Sequence, residues 1–109
     1  MRIALHSVVQ PGTAEEYLRL HARVPDDLLP AFARAGIHDW TIWRSGERLF
    51  HLVDCDDWDA AVAVLDTEPA NAAWQRTIGR VVREFHGPDG KPAFAPLAEV
   101  WQLTDQLNT

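Results

Sequence analysis

Alternation is the first signal in the chain. In "RIALHSVVQ" (2–10), Ile3, Leu5, Ser7 and Val9 fall on one side and Ala4, His6 and Val8 on the other, the two-residue period of a strand. "PGT" breaks that run. From Thr13 the period changes: apolar or aromatic residues return at 14, 17, 18, 21, 24 and 28, which is helical spacing. Thr13 is placed to cap this helix, and Glu15 and Glu16 sit in its first turn, where the helix dipole favours negative charge. Pro25 removes a donor and crowds the turn before it, so a break is expected near Val24. A second helical piece, "DDLLPAFARAG", follows with Asp26 as its cap and Gly36 as its end.

The next two runs read as a hairpin. "HDWTIWR" (38–44) is rich in aromatic and β-branched residues, "SGE" is the turn, and "RLFHLVDC" (48–55) is the returning strand. "DDWDAAVAVLD" opens with acidic capping residues and predicts a short helix. "TEP" interrupts it, and "NAAWQRTIGRVV" (71–82) predicts another. "HGPDGKPAFAP" (86–96) is loop by its Gly and Pro content, "LAEVWQL" (97–103) predicts the last strand, and "TDQLNT" a frayed tail. The order is βαββαβ, the ferredoxin-like α+β pattern: a four-stranded antiparallel sheet with helices on one face. The opposite sheet face carries too many apolar residues for open water. A partner subunit, in the manner of a dimeric α/β barrel, or a ligand is expected to cover it.

Composition narrows the function more than the fold. A chain of 109 residues holds one core, so 1–109 is read as a single domain. Ten Lys and Arg against sixteen Asp and Glu give a net charge of −6, and no basic run interrupts the balance. Nucleic acid and anionic membranes are therefore poor partners. No apolar stretch is long enough to span a bilayer, and "MRIALHSVVQPG" lacks a signal-peptide core. Cys55 is the only cysteine, which argues against a disulfide framework or thiolate metal site and for a reducing cytoplasm; it reads as a small buried hydrophobe.

Candidate chemistry concentrates on the first helix. Tyr17 and His21 are one turn apart on the inward stripe. A histidine there is either a partly buried packing residue bonded to backbone, or an acid or base, since imidazole titrates near neutrality. Five tryptophans in so small a domain are a second signal. Trp40 and Trp43 have opposite parity and face opposite sides of the sheet. An indole over a cavity offers a flat apolar face on which the C–H face of a sugar, or another ring, can stack. His6, His38, His51 and His86 show no paired metal-ligand spacing; His38 and His51 meet across the hairpin only in one register. No phosphate loop, nucleophile elbow or dinucleotide fingerprint occurs.

"EEYLRLH", "AGIHDWTIW", "AAWQ" and "LAEVWQL" together resemble the L-rhamnose mutarotases along nearly the whole chain, from about Arg2 to Leu103. The resemblance implies a cofactor-free homodimer with a ferredoxin-like fold that interconverts the anomers of a monosaccharide. It implies that His21 is the proton donor, that Tyr17 contacts the substrate, that Trp40 replaces a substrate-contacting strand tyrosine, and that Trp74 is the surviving member of a tryptophan pair. Where the family has Asn-Pro-x-Trp-Pro-Glu-Leu after its histidine, this chain has Ala22-Arg23-Val24-Pro25-Asp26-Asp27-Leu28. The expected substrate is a deoxy-hexose such as L-rhamnose or L-fucose, and the changed shell points away from L-rhamnose itself toward L-fucose or another deoxy-sugar. The expected mechanism has His21 protonate the ring oxygen, with water or His38, on the strand face of Trp40, as second proton carrier. Two other readings share the fold: a cofactor-free monooxygenase or cyclase, and a non-catalytic small-molecule binding domain.

Overall fold

The computed structural model of the protein describes residues 1–83 and 95–109; His86 and most of the 86–96 loop lie outside the described residues. Three long strands form the body of an antiparallel sheet: β1 (Arg2–Val9), β2 (Ile37–Ser45) and β3 (Arg48–Cys55), with β3 in the middle. Two short pieces share the far edge of β1. Here β4 (Val82–Arg83) pairs with Val8 and Val9, and β5 (Ala95–Pro96) with Leu5 and His6. The order β2-β3-β1-β4 is the ferredoxin-like one, four positions wide.

One expectation fails here. The last strand is not 97–103. Beyond Pro96 one further bond, from the Leu97 N–H to the Ala4 carbonyl (2.8 Å), ties the chain to β1. The chain then leaves the sheet; Val100 is fully out in solvent, and the tail turns into the short helix α5 (Leu103–Leu107). Alternation without a neighbouring strand to pair with does not make a strand.

The helices are shorter than their periodicity suggests. The first, α1 (Ala14–Leu20), stops before His21, and Pro25 separates it from α2 (Leu28–Arg34). Thr13 does not cap α1 with its side chain: its hydroxyl donates to the carbonyls of Gln10 and Val81, fastening the helix start to the sheet edge. Asp26 likewise gives no cap; Asp27 holds that position without a side-chain bond, and Asp26 accepts from Arg23 instead. Asp57 does cap α3 (Trp58–Leu65), accepting from the Ala60 N–H at 2.8 Å. Pro69 opens α4 (Pro69–Ile78), where its missing N–H costs nothing. Glu68, just before it, is gripped by both arms of Arg34 on α2 at 2.6 and 2.8 Å.

All four of these helices lie on one sheet face, and burial follows the pleat. Leu5 and Val9 of β1, Leu49, Val53 and Cys55 of β3, and Ile37 of β2 are buried under them. Leu28, Ala31, Ala61 and Leu65 complete one cluster under α2 and α3, while Tyr17, Ile78 and Val81 close a second under α1 and α4. Trp74 packs against both. Each fully buried Leu or Val stabilises the fold by roughly 1.5–3 kcal/mol relative to exposure. Cys55 is fully buried, as its sequence context implied, and burial pushes its thiol pKa up. On the opposite face, Trp43 (54% exposed) and Phe50, which sit opposite each other in the β2–β3 register, remain open.

Candidate active site

Between the helices and their sheet face lies a concavity of about 1730 Å³. Small-molecule sites usually measure about 300–1,000 Å³, so space does not limit a monosaccharide here; selectivity must come from the side chains at the floor.

His21 stands at the end of α1, and its position follows from how that helix ends. Both its backbone N–H and its ring Nδ1 lie 3.1 Å from the Tyr17 carbonyl. A carbonyl only accepts, so Nδ1 carries the hydrogen. In the neutral ring, Nε2 is then a bare lone pair, and no described residue bonds to it. Burial lowers the His21 pKa from its ordinary value, with the Tyr17 carbonyl partly opposing that shift. The resting form at neutral pH is the neutral base.

The phenol ring of Tyr17 stacks on this imidazole, with centroids 4.1 Å apart and planes 28° from parallel. Tyr17 is only 3% exposed, yet its hydroxyl has no hydrogen-bond partner among the described residues. No sealed side-chain oxygen or nitrogen among those residues lacks a partner, so the hydroxyl must reach the concavity. Burial raises its pKa, keeping it a neutral donor. The Trp74 indole also meets His21, edge-on, at 5.1 Å and 76°.

Trp40 lines the same concavity from β2. Phe32 and Trp58 brace its indole at 5.9 and 5.8 Å, and its Nε1–H donates to His51 Nδ1 at 3.1 Å. Trp43 points to the opposite face, as parity required. The structure thus brings Tyr17, His21 and Trp74 into contact around one opening, with Trp40 on its wall.

His38 also lines this concavity, but its ring is engaged by a neighbour outside the Tyr17–His21–Trp74 contact. A bulge between Ile37 and Asp39 breaks the alternation, making His38 the extra residue. Its Nε2 lies 2.7 Å from Asp56 Oδ1, an exposed pair whose hydrogen bond raises the histidine pKa and lowers that of the aspartate. The hairpin register sets Ile42, not His38, opposite His51, which separates the two histidines. Among the described residues no group of three His, Cys, Asp or Glu side chains is arranged around a metal ion.

The residue that sequence reasoning passed over is His51. It is 3% exposed on the covered face of β3, with its Nε2 3.0 Å from Ser7 Oγ and its pKa pushed down to about 4, chiefly by burial and further by His21 and His6. A signal existed: Leu49, Val53 and Cys55 alternate with it on an apolar stripe, and Ser7 interrupts the facing stripe of β1. Two polar residues on facing buried stripes must satisfy each other.

Fold and cleft define a ferredoxin-like α+β protein with an imidazole and indole site under its helices. Residues 2–103 match the sequence profile of the L-rhamnose mutarotases. The L-rhamnose mutarotase of Klebsiella pneumoniae subsp. pneumoniae is 31% identical over 107 residues, covering 94% of this chain and 98% of that one. The crystal structure of an L-rhamnose mutarotase from Formosa agariphila superposes with a TM-score of 0.75 at 18% identity, covering 94% and 98% of the two chains. Tetracenomycin F2 cyclase from Streptomyces glaucescens, a type-II polyketide cyclase, has the same fold at a TM-score of 0.67 and 15% identity, covering 94% and 95%. The chain belongs to the L-rhamnose mutarotase family, a family of carbohydrate isomerases.

Proposed function

We propose that this protein interconverts the α and β anomers of a deoxy-hexopyranose, L-rhamnose first and L-fucose as an alternative, with His21 as its proton carrier. The observation that supports this reading most is the Nε2 lone pair of His21, without a partner among the described residues, held beside a tyrosine hydroxyl likewise without one, in a concavity roomy enough for a sugar. The indoles of Trp40 and Trp74 offer apolar walls suited to C–H faces and to the methyl group of a deoxy-sugar. Tyr17 donates its hydroxyl to a sugar oxygen.

The resting state refines the expected mechanism. Protonating the ring oxygen needs the imidazolium, which burial disfavours here. The neutral Nε2 therefore first takes the proton of the anomeric hydroxyl. That hydroxyl oxygen and the ring oxygen are bonded to the same carbon, so one nitrogen can serve both. The imidazolium hands the proton to the ring oxygen as the bond from that oxygen to C1 breaks. The open aldehyde rotates about C1–C2, and the reverse transfer closes the ring on the other face. Positioned proton transfer of this kind contributes about 10²–10⁴-fold.

A homodimer belongs to the same reading, since the outer sheet face leaves Trp43 and Phe50 open to a partner. No helix among the described residues is long and apolar enough to cross a membrane, and we place the enzyme in the cytoplasm. Polarimetry on freshly dissolved α-L-rhamnose and α-L-fucose tests the proposal. The protein should speed the approach to equilibrium rotation for at least one of them; an unchanged rate for both, and for other deoxy-hexoses, would reject it.

A further inference from the structure

Ser7 and His51 lie at the middle of the covered sheet face, 2% and 3% exposed, with Ser7 Oγ 3.0 Å from His51 Nε2. That is the spacing of a nucleophile and its base. Trp40 rules out that role. An indole N–H only donates, and it lies 3.1 Å from His51 Nδ1, so Nδ1 must hold the lone pair. The neutral ring then carries its hydrogen on Nε2 and donates it to Ser7 Oγ. No lone pair is left on that side to take the serine proton. The dyad runs the other way, as an anchor.

We propose that His51 is a positioning residue whose imidazole, oriented by Ser7, pins the Trp40 indole at the angle that forms the sugar-facing wall. The proposal rests on the reading that this cleft binds a pyranose. The Trp40 wall is held by its polar handle, the Nε1–H bonded to His51 Nδ1, and without that acceptor this part-buried N–H would turn the ring toward another partner. His51 meets the indole edge-on at 6.0 Å and 76°, so the hydrogen bond and the ring contact fix the same orientation. Two imidazoles close enough to influence each other's charge are therefore held as opposite tautomers: His21 with hydrogen on Nδ1 and a lone pair for chemistry, His51 with hydrogen on Nε2 and a lone pair for Trp40.

Long-range ¹H–¹⁵N correlation of the histidine rings in the wild-type protein tests the tautomers directly, with assignments from His21→Asn and His51→Asn. The result expected is Nδ1–H for His21 and Nε2–H for His51 at pH 7. His51→Ala should speed exchange of the Trp40 indole proton (assigned by Trp40→Phe) and raise KM up to about tenfold with kcat within about threefold, the size of one lost hydrogen bond. His51→Asn, whose Oδ1 replaces Nδ1, should restore most of both. Finding Nδ1–H on His51, an unaltered indole signal in His51→Ala, or a collapse of kcat at constant KM would overturn the proposal. Should the wild type turn over no sugar, the mutarotase reading fails, while the tautomer and indole signals still decide whether His51 holds Trp40.

Discussion

Lowering the pH from 7 to 5 should destabilise this protein through His51. In the folded chain the ring is buried and its pKa is about 4, against an ordinary value of 6.5. The unfolded chain therefore binds the proton first as pH falls. The stability contributed is complete above about 6.5 and is lost on the way down to about 4, which is the sign for a depressed histidine. At about 1.4 kcal/mol per pH unit, the gap of about 2.5 corresponds to about 3 kcal/mol, of which about 2 kcal/mol is gone by pH 5. That is a large share of the roughly 5–15 kcal/mol that holds a typical domain together. His21 shifts in the same direction, whereas exposed His38, beside Asp56, shifts oppositely. The discriminating quantity is thus a difference of differences. Urea midpoints at pH 7 and pH 5, read by tryptophan fluorescence and by circular dichroism, give the loss for wild type and for His51→Asn. Wild type should lose about 2 kcal/mol more than the variant, roughly 10 °C in melting temperature. Equal losses, within about 0.5 kcal/mol, would refute the reasoning.

Three further outcomes follow from the same geometry. Because neutral His21 is the resting base, kcat/KM for the sugar should be flat from pH 7 to 8 and fall on the acid side with an apparent pKa below 6.5; a midpoint above 7 would contradict the neutral resting form. Tyr17→Phe removes a hydroxyl with no partner among the described residues, so its urea midpoint should move by less than about 1 kcal/mol while sugar KM rises severalfold, as equilibrium unfolding and initial rates would show. Gly36 has φ +74°, and a Cβ there would meet the Asp56 side chain at 2.9 Å, so Gly36→Ala should cost about 1–2 kcal/mol by urea denaturation.

Where the backbone is regular, the sequence was a sufficient guide. The pleat of β1 divided Leu5, Ser7 and Val9 from His6 and Val8, and parity sent Trp40 and Trp43 to opposite faces. Helical spacing put Tyr17 and His21 on one inward stripe, and the structure stacks them. What the sequence did not reveal depends on long-range partners. The bulge at His38, which sets it beside Asp56, is a single extra residue and leaves no mark in composition. "LAEVWQL" alternates well, but among the described residues the β1 edge is taken by 82–83 and 95–97, and the rest of that run joins no ladder. Thr13 and Asp26 have the chemistry of caps, yet Val81 and Arg23 claim their side chains. His51 was visible in principle, as the polar interruption of a buried stripe facing Ser7. Recognising it requires the β1–β3 register, which the chain fixes only on folding.

Saturation transfer between the two anomeric proton signals of L-rhamnose, at equilibrium and pH 7, most directly tests whether the His21 lone pair moves the anomeric proton. Irradiating one anomer should weaken the other in the presence of wild-type protein and of Tyr17→Phe at raised sugar concentration, and leave it untouched with His21→Ala. Transfer that persists undiminished in His21→Ala would contradict the account.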